Sequence, residues 1–149
     1  YATYGLAKMS GVAILLIGTG TLAGIIANSG LKDVIISGIN ALGLPSFMLA
    51  PVSGILMSAA TASTTSGTAV ATSVFGPTIV QLGVAPLATA AMIHAGATVL
   101  DHLPHGSFFH ATGGSVSMDM KERLKLIPYE SLVGLTMTIV STIIFGFIL

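Results

Sequence analysis

The residues of this chain best equipped for chemistry are in the run Asp101-His102-Leu103-Pro104-His105-Gly106-Ser107. Asp101 is the only carboxylate between Val34 and Met118. A carboxylate in such apolar surroundings must be paired, protonated or wetted, and each of these suits it to carry a proton or hold a cation. A loop position at a water interface is the plainer reading. His102 and His105 lie three residues apart, near enough to share a proton path or a ligand. Pro104 removes a helical hydrogen bond and Gly106 loosens the chain, so any helix through this point should break beside the carboxylate. A second cluster, Thr61-Ala62-Ser63-Thr64-Thr65-Ser66-Gly67-Thr68, is rich in hydroxyls. Free N–H groups at such a place would suit a carboxylate ligand, and free carbonyls a cation. For any single hydroxyl, capping a helix or bonding the preceding turn is the simpler role.

Other chemistries find less support. The HExxH spacing is absent and there is no cysteine, so no metal site or other cofactor is expected. His94 and His110 receive no role. Gly18-Thr-Gly20-Thr-Leu-Ala23 imitates a dinucleotide fingerprint, but no acidic residue follows near Gly38 to hold a ribose. Gly20 and Gly24 read better as a small-residue contact between helix backbones. No serine is singled out with a base beside it, so the chain is not expected to be an enzyme.

The elements that position these residues follow from composition. Charged residues make up 7% of the chain, five of each sign, against about 25% in an ordinary soluble domain. So little polar side chain cannot cover a water-exposed surface, which leaves a membrane protein, and the lengths of its apolar segments make the expected class all-α. Zero net charge argues against nucleic acid. No signal peptide with its cleavage site is visible. The chain opens on Tyr1 and is expected to be a piece of something longer.

Along the single transmembrane domain 1–149, the first span is expected at 9–27, and an interfacial amphipathic helix at 34–44 with Ile35, Ile36, Ile39 and Leu42 on one face. The segment 47–82 reads as two apolar arms meeting at the hydroxyl-rich tip. The arms fall in the range of about 10–14 residues typical of re-entrant segments, so the tip must be buried in protein or line a wet cavity. One continuous helix with a Ser/Thr-rich middle is the alternative. A broken span is expected at 87–118 and a last span at 131–149, entered after Pro128 and Tyr129. Lys121, Arg123 and Lys125 are placed in the loop before that span. With Lys8 they orient this side to the cytoplasm, and Tyr4 and Tyr129 fall at the same interface.

Three motifs carry a family resemblance: Gly18-Thr-Gly-Thr-Leu-Ala-Gly-Ile-Ile-Ala-Asn-Ser-Gly30, Thr65-Ser-Gly-Thr-Ala-Val-Ala-Thr72 and Asp101-His-Leu-Pro-His105. Together they resemble the C-terminal half of a gluconate-permease-type transporter, within the ion transporter superfamily. The resemblance implies one inverted repeat of an elevator-type carrier of the bacterial inner membrane, multi-pass and homo-oligomeric, completed by a missing N-terminal half. Its implied activity is proton-coupled symport of a small organic acid, gluconate or another hydroxy-carboxylate. The alternatives are a cation/proton antiporter or a Na⁺-coupled carboxylate carrier of the same superfamily. The resemblance places the substrate and ion site at Ser66, Gly67 and Thr68 of the hairpin with Asp101, Pro104 and His105 of the break, and the adjoining Thr64, Thr65, His102, Gly106 and Ser107 are candidate site residues beside them. His102 and the Gly106-Ser107 pair depart from the family's pattern, so gluconate itself is not carried over.

Overall fold

The computed structural model describes residues 28–148, together with Thr3, Tyr4, Ser10, Ile14, Ile17, Gly18, Thr21, Gly24 and Ile25. The expected span 9–27 and the Gly20/Gly24 contact fall largely outside these residues. Among the described residues the ordered elements are helices, with no strand.

Helix α1 runs Leu31–Ala41. Ile39 is buried and Ile35 and Ile36 pack against the core, whereas Leu42 is exposed. Gly43 (φ +64°) ends the helix in a left-handed turn, and Pro45 prevents its resumption. After a 3-10 turn at Ser46–Met48, α2 (Leu49–Thr61) and α3 (Thr64–Gln81) form a helical hairpin. The connection is shorter than the hydroxyl-rich segment suggests. Only Ala62 and Ser63 lie outside the helices, and Thr64–Thr68 already belong to α3. Ser63 makes this turn by capping α3, its Oγ accepting the Ser66 N–H at 3.2 Å. Ala62 takes the left-handed conformation (φ 43°, ψ 45°), unusual for a residue with a side chain.

Helix α4 (Pro86–Ala97) opens on a proline, tolerated where the helical N–H has no partner, and packs on both arms of the hairpin. Its contact with α2 is backbone on backbone. A Cβ at Gly54 would lie 2.2 Å from the Ile93 carbonyl oxygen, and one at Gly96 2.3 Å from that of Pro51. Small residues here let two helix axes approach more closely than side chains permit. Residues 98–106 break the path, and α5 (Ser107–Ser115) continues it.

Helix α6 (Met120–Ile143) passes into a π-helical turn at Ile144–Ile148. It starts with a reciprocal cap in which Asp119 accepts the Glu122 N–H and Glu122 accepts that of Asp119. Lys121, Arg123 and Lys125 therefore lie on a helix rather than in a loop, and Pro128 is inside that helix rather than before it. The reason is visible in Arg123. Its guanidinium is buried, donates to the Glu130 carboxylate at 2.7 Å and to the Phe109 carbonyl at 3.2 Å, and lies 4.8 Å above the Phe109 ring. The Arg123–Glu130 bond spans two helical turns and holds the segments on either side of the proline together.

The surface of α6 is inverted relative to a soluble helix. Gly134, Thr138 and Thr142 are buried, and Thr138 donates to the Ala95 carbonyl of α4 at 2.9 Å. Leu132, Val133, Leu135, Met137, Ile139 and Val140 face outward. Small residues inside and large apolar ones outside is the arrangement for a solvent of lipid or protein. Met120–Ile148 is long and apolar enough to cross a membrane.

Candidate functional site at the hairpin tip

The break packs directly against the hairpin tip. A Cβ at Gly106 would sit 2.3 Å from the Ala62 carbonyl oxygen and 2.6 Å from the Ala62 Cβ, so only glycine permits this approach. Ala62 is buried beneath it. His105 donates from Nε2 to the Ala59 carbonyl at 3.1 Å, satisfying one of the last carbonyls of α2. Four helix ends are thereby brought together: the C-termini of α2 and α4 and the N-termini of α3 and α5. The N-termini offer free N–H groups and the positive ends of helix dipoles, the C-termini the opposite.

Asp101 stands among them, its side chain about 20% exposed. Its Oδ2 accepts a short hydrogen bond from the Thr64 hydroxyl of α3. Its Oδ1 faces the Nδ1 of His102 at 3.2 Å, and the Nε2 of that ring lies 2.9 Å from the Ser131 hydroxyl of α6. His102 itself is 1% exposed. One hydrogen-bonded chain, Thr64–Asp101–His102–Ser131, thus runs from the tip through the break to α6. A cavity of about 290 Å³ adjoins it, lined by Asp101, His102, Thr98 and Phe108 on one side and Tyr129 and Glu130 of α6 on the other. A larger cavity of about 570 Å³ between α4 and α6 is walled by Ala95, Val133, Met137, Val140 and Ile144 with no ionisable group, so it offers no comparable chemistry.

The other residues singled out in the sequence divide by environment. Thr65, His105 and Ser107 are exposed, and Pro104 is half-buried in the break. Ser66 is buried, and Gly67 is a packing position, since a Cβ there would lie 2.7 Å from the Ser58 backbone. Thr68 bonds His94 Nδ1 at 3.3 Å, giving that histidine a partner which the sequence did not suggest. His110 stacks edge-on against Phe109. Sequence reasoning missed Tyr129, Glu130 and Ser131, which read as the boundary of a span. The signal that was there is Glu130, seven residues after Arg123 and so on the same helical face.

Among the described residues, helices alone with one long apolar helix that turns its large side chains outward make the pattern of a membrane protein. The chain is 74% identical over 146 residues to an uncharacterized transporter of Haemophilus influenzae. That match covers 98% of the chain but 35% of the relative, so the chain spans about a third of the relative's length. No protein-family model matches the chain, and no solved structure matches it.

Proposed function

We propose that this chain is the C-terminal portion of a secondary active transporter of the bacterial inner membrane, carrying a small organic acid inward together with a proton. The observation that carries this reading is the convergence of the tip and the break on Asp101 through the Thr64 hydrogen bond. Broken helices whose N-termini point at an anionic group, with an ionisable residue beside them, are the arrangement by which secondary carriers hold substrate and coupling ion. The relative's description as a transporter and the gluconate-permease-like motifs support the same reading. The first arm with the turn before it, Ser46–Thr61, has 16 residues, about 24 Å, and α3 has 18, about 27 Å, both short of a hydrocarbon core of about 30 Å. The hairpin is therefore re-entrant in this reading, with its tip at membrane depth and shielded by the remainder of the polypeptide.

The test is an uptake screen of small hydroxy acids in proteoliposomes holding the full-length transporter. An inward proton gradient is expected to drive accumulation of at least one of them. Exchange of cations for protons without hydroxy-acid uptake overturns the proposal in favour of an antiporter. A probe of the tip gives a second expected result. A cysteine introduced by Thr65→Cys, at an exposed position, reacts with a water-soluble thiol reagent, and the transported acid slows that reaction. Ser66→Cys, at the neighbouring buried position, reacts slowly with or without the acid. Labelling of Thr65→Cys that is indifferent to every transported acid removes the tip from the substrate site.

A further inference from the structure

We propose that Asp101, His102 and Ser131 form one proton-holding unit, in which Ser131 is a positioning residue that keeps the buried imidazole hydrogen-bonded in both of its protonation states. This deepens the transport reading and rests on it. An ionised Asp101 offers only acceptors, so the His102 Nδ1 facing Oδ1 at 3.2 Å carries a hydrogen. In the neutral ring Nε2 then has a lone pair, which accepts the Ser131 O–H at 2.9 Å. When a proton from solvent adds to Nε2, a new N–H bond forms and the ring becomes an imidazolium paired with the Asp101 carboxylate. The Ser131 hydroxyl rotates to accept that N–H, and its own hydrogen turns to a carbonyl of the preceding helical turn. Release of the proton to solvent reverses each step. Nothing else has to move.

The partner of His105 shows why this matters. The Nε2 of His105 faces a backbone carbonyl, the Ala59 oxygen, which can only accept, so that nitrogen is held in its N–H form. His102 is 1% exposed, yet its Nε2 meets a group that both donates and accepts. A buried histidine serving packing alone needs one satisfied state; this one has two. The remaining ionisable groups near the unit are accounted for. Glu130 and Tyr129 of α6 face it across the 290 Å³ cavity, and Arg123 is bound to Glu130. His94 of α4 bonds Thr68. The Thr64 hydroxyl on Asp101 Oδ2 links the charge of the unit to the hairpin tip.

The experiment reads proton occupancy directly, without substrate or uptake. The full-length transporter, labelled with ¹⁵N-histidine in lipid nanodiscs, is observed at a pH where the wild-type His102 gives both neutral and cationic ring signals. The neutral ring is expected as the Nδ1–H tautomer. Removing the hydroxyl costs the cation a stronger hydrogen bond than it costs the neutral ring, so Ser131→Ala lowers the cationic-to-neutral ratio about tenfold. Ser131→Thr, which keeps the hydroxyl, restores the ratio. A ratio in Ser131→Ala equal to wild type overturns the proposal. So does failure of Ser131→Thr to restore it, or a wild-type His102 that stays in one protonation state throughout the pH range in which the protein is folded. Absence of hydroxy-acid uptake would overturn the transport reading and leave these signals unchanged, so the two failures are distinguishable.

Discussion

Asp101→Asn is expected to abolish proton-coupled accumulation of substrate in the full-length transporter, lowering it at least about a hundredfold while the protein stays folded. The magnitude follows from what the carboxylate does. It accepts from Thr64 Oγ1 and from His102 Nδ1 at once. Hydrogen bonds to an ionised group are worth about 1.5–3 kcal/mol each, and about 1.4 kcal/mol is a factor of ten. An asparagine amide has nearly the same shape, so packing around the break is preserved. It has one carbonyl oxygen and an NH₂ group in place of two acceptor oxygens, so either the Thr64 hydroxyl turns its hydrogen away or the His102 ring takes its other tautomer. The negative charge that a proton would neutralise is gone. Uptake into proteoliposomes measured beside a thermal melt separates loss of coupling from loss of fold. Accumulation at the wild-type level would remove Asp101 from the mechanism.

Gly106→Ala is expected to have the second largest effect, and a different one. Its Cβ would lie 2.3 Å from the Ala62 carbonyl oxygen, a backbone atom that cannot swing aside as the end of a flexible side chain can. The φ of Gly106 is −96°, ordinary for any residue, so the cost is purely one of contact. Overpacking of this kind costs about 1–3 kcal/mol. The least costly relief is to move the break off the tip, since the hairpin is fixed to α4 at two backbone contacts, Gly54 and Gly96. That motion pulls Asp101 from Thr64. Substrate affinity is therefore expected to fall about tenfold to a hundredfold, accompanied by a melting temperature lower by several degrees with expression retained. Wild-type affinity in this variant would show that the tip and the break need not touch during transport.

Some of this architecture was legible in the residues because it follows from local rules. Pro104 and Gly106 announce a helix break, and residues 98–106 form one. A hydroxyl of the Ser/Thr-rich segment is expected as a cap, and Ser63 is that cap, with α3 starting at Thr64, five residues earlier than the second arm's expected start at Ala69. What could not be read depends on neighbours distant in sequence. Ala62 adopts a left-handed backbone that its own residue type disfavours, and it lies buried against Gly106. Arg123 looks like a solvated, topology-setting charge, but an ion pair and an aromatic face draw it inside. Pro128 looks like a boundary, but the bond from Arg123 to Glu130 carries the helix through it. Ser131 joins the site from 29 positions beyond His102, a separation that no local pattern encodes. Asp101, His102 and Thr64 stand out in the sequence, whereas Ser131 stands out only in three dimensions.

The Gly54–Gly96 crossing has a consequence for how this site can diversify. A contact made by main-chain atoms owes nothing to the size or shape of the surrounding side chains. Substitutions elsewhere on α2 and α4 can accumulate without shifting the address of the tip, provided the two glycines stay. The exposed Thr65 and Ser107 can then be replaced against a fixed frame. Side chains at the tip can then change without rebuilding what holds the tip in place.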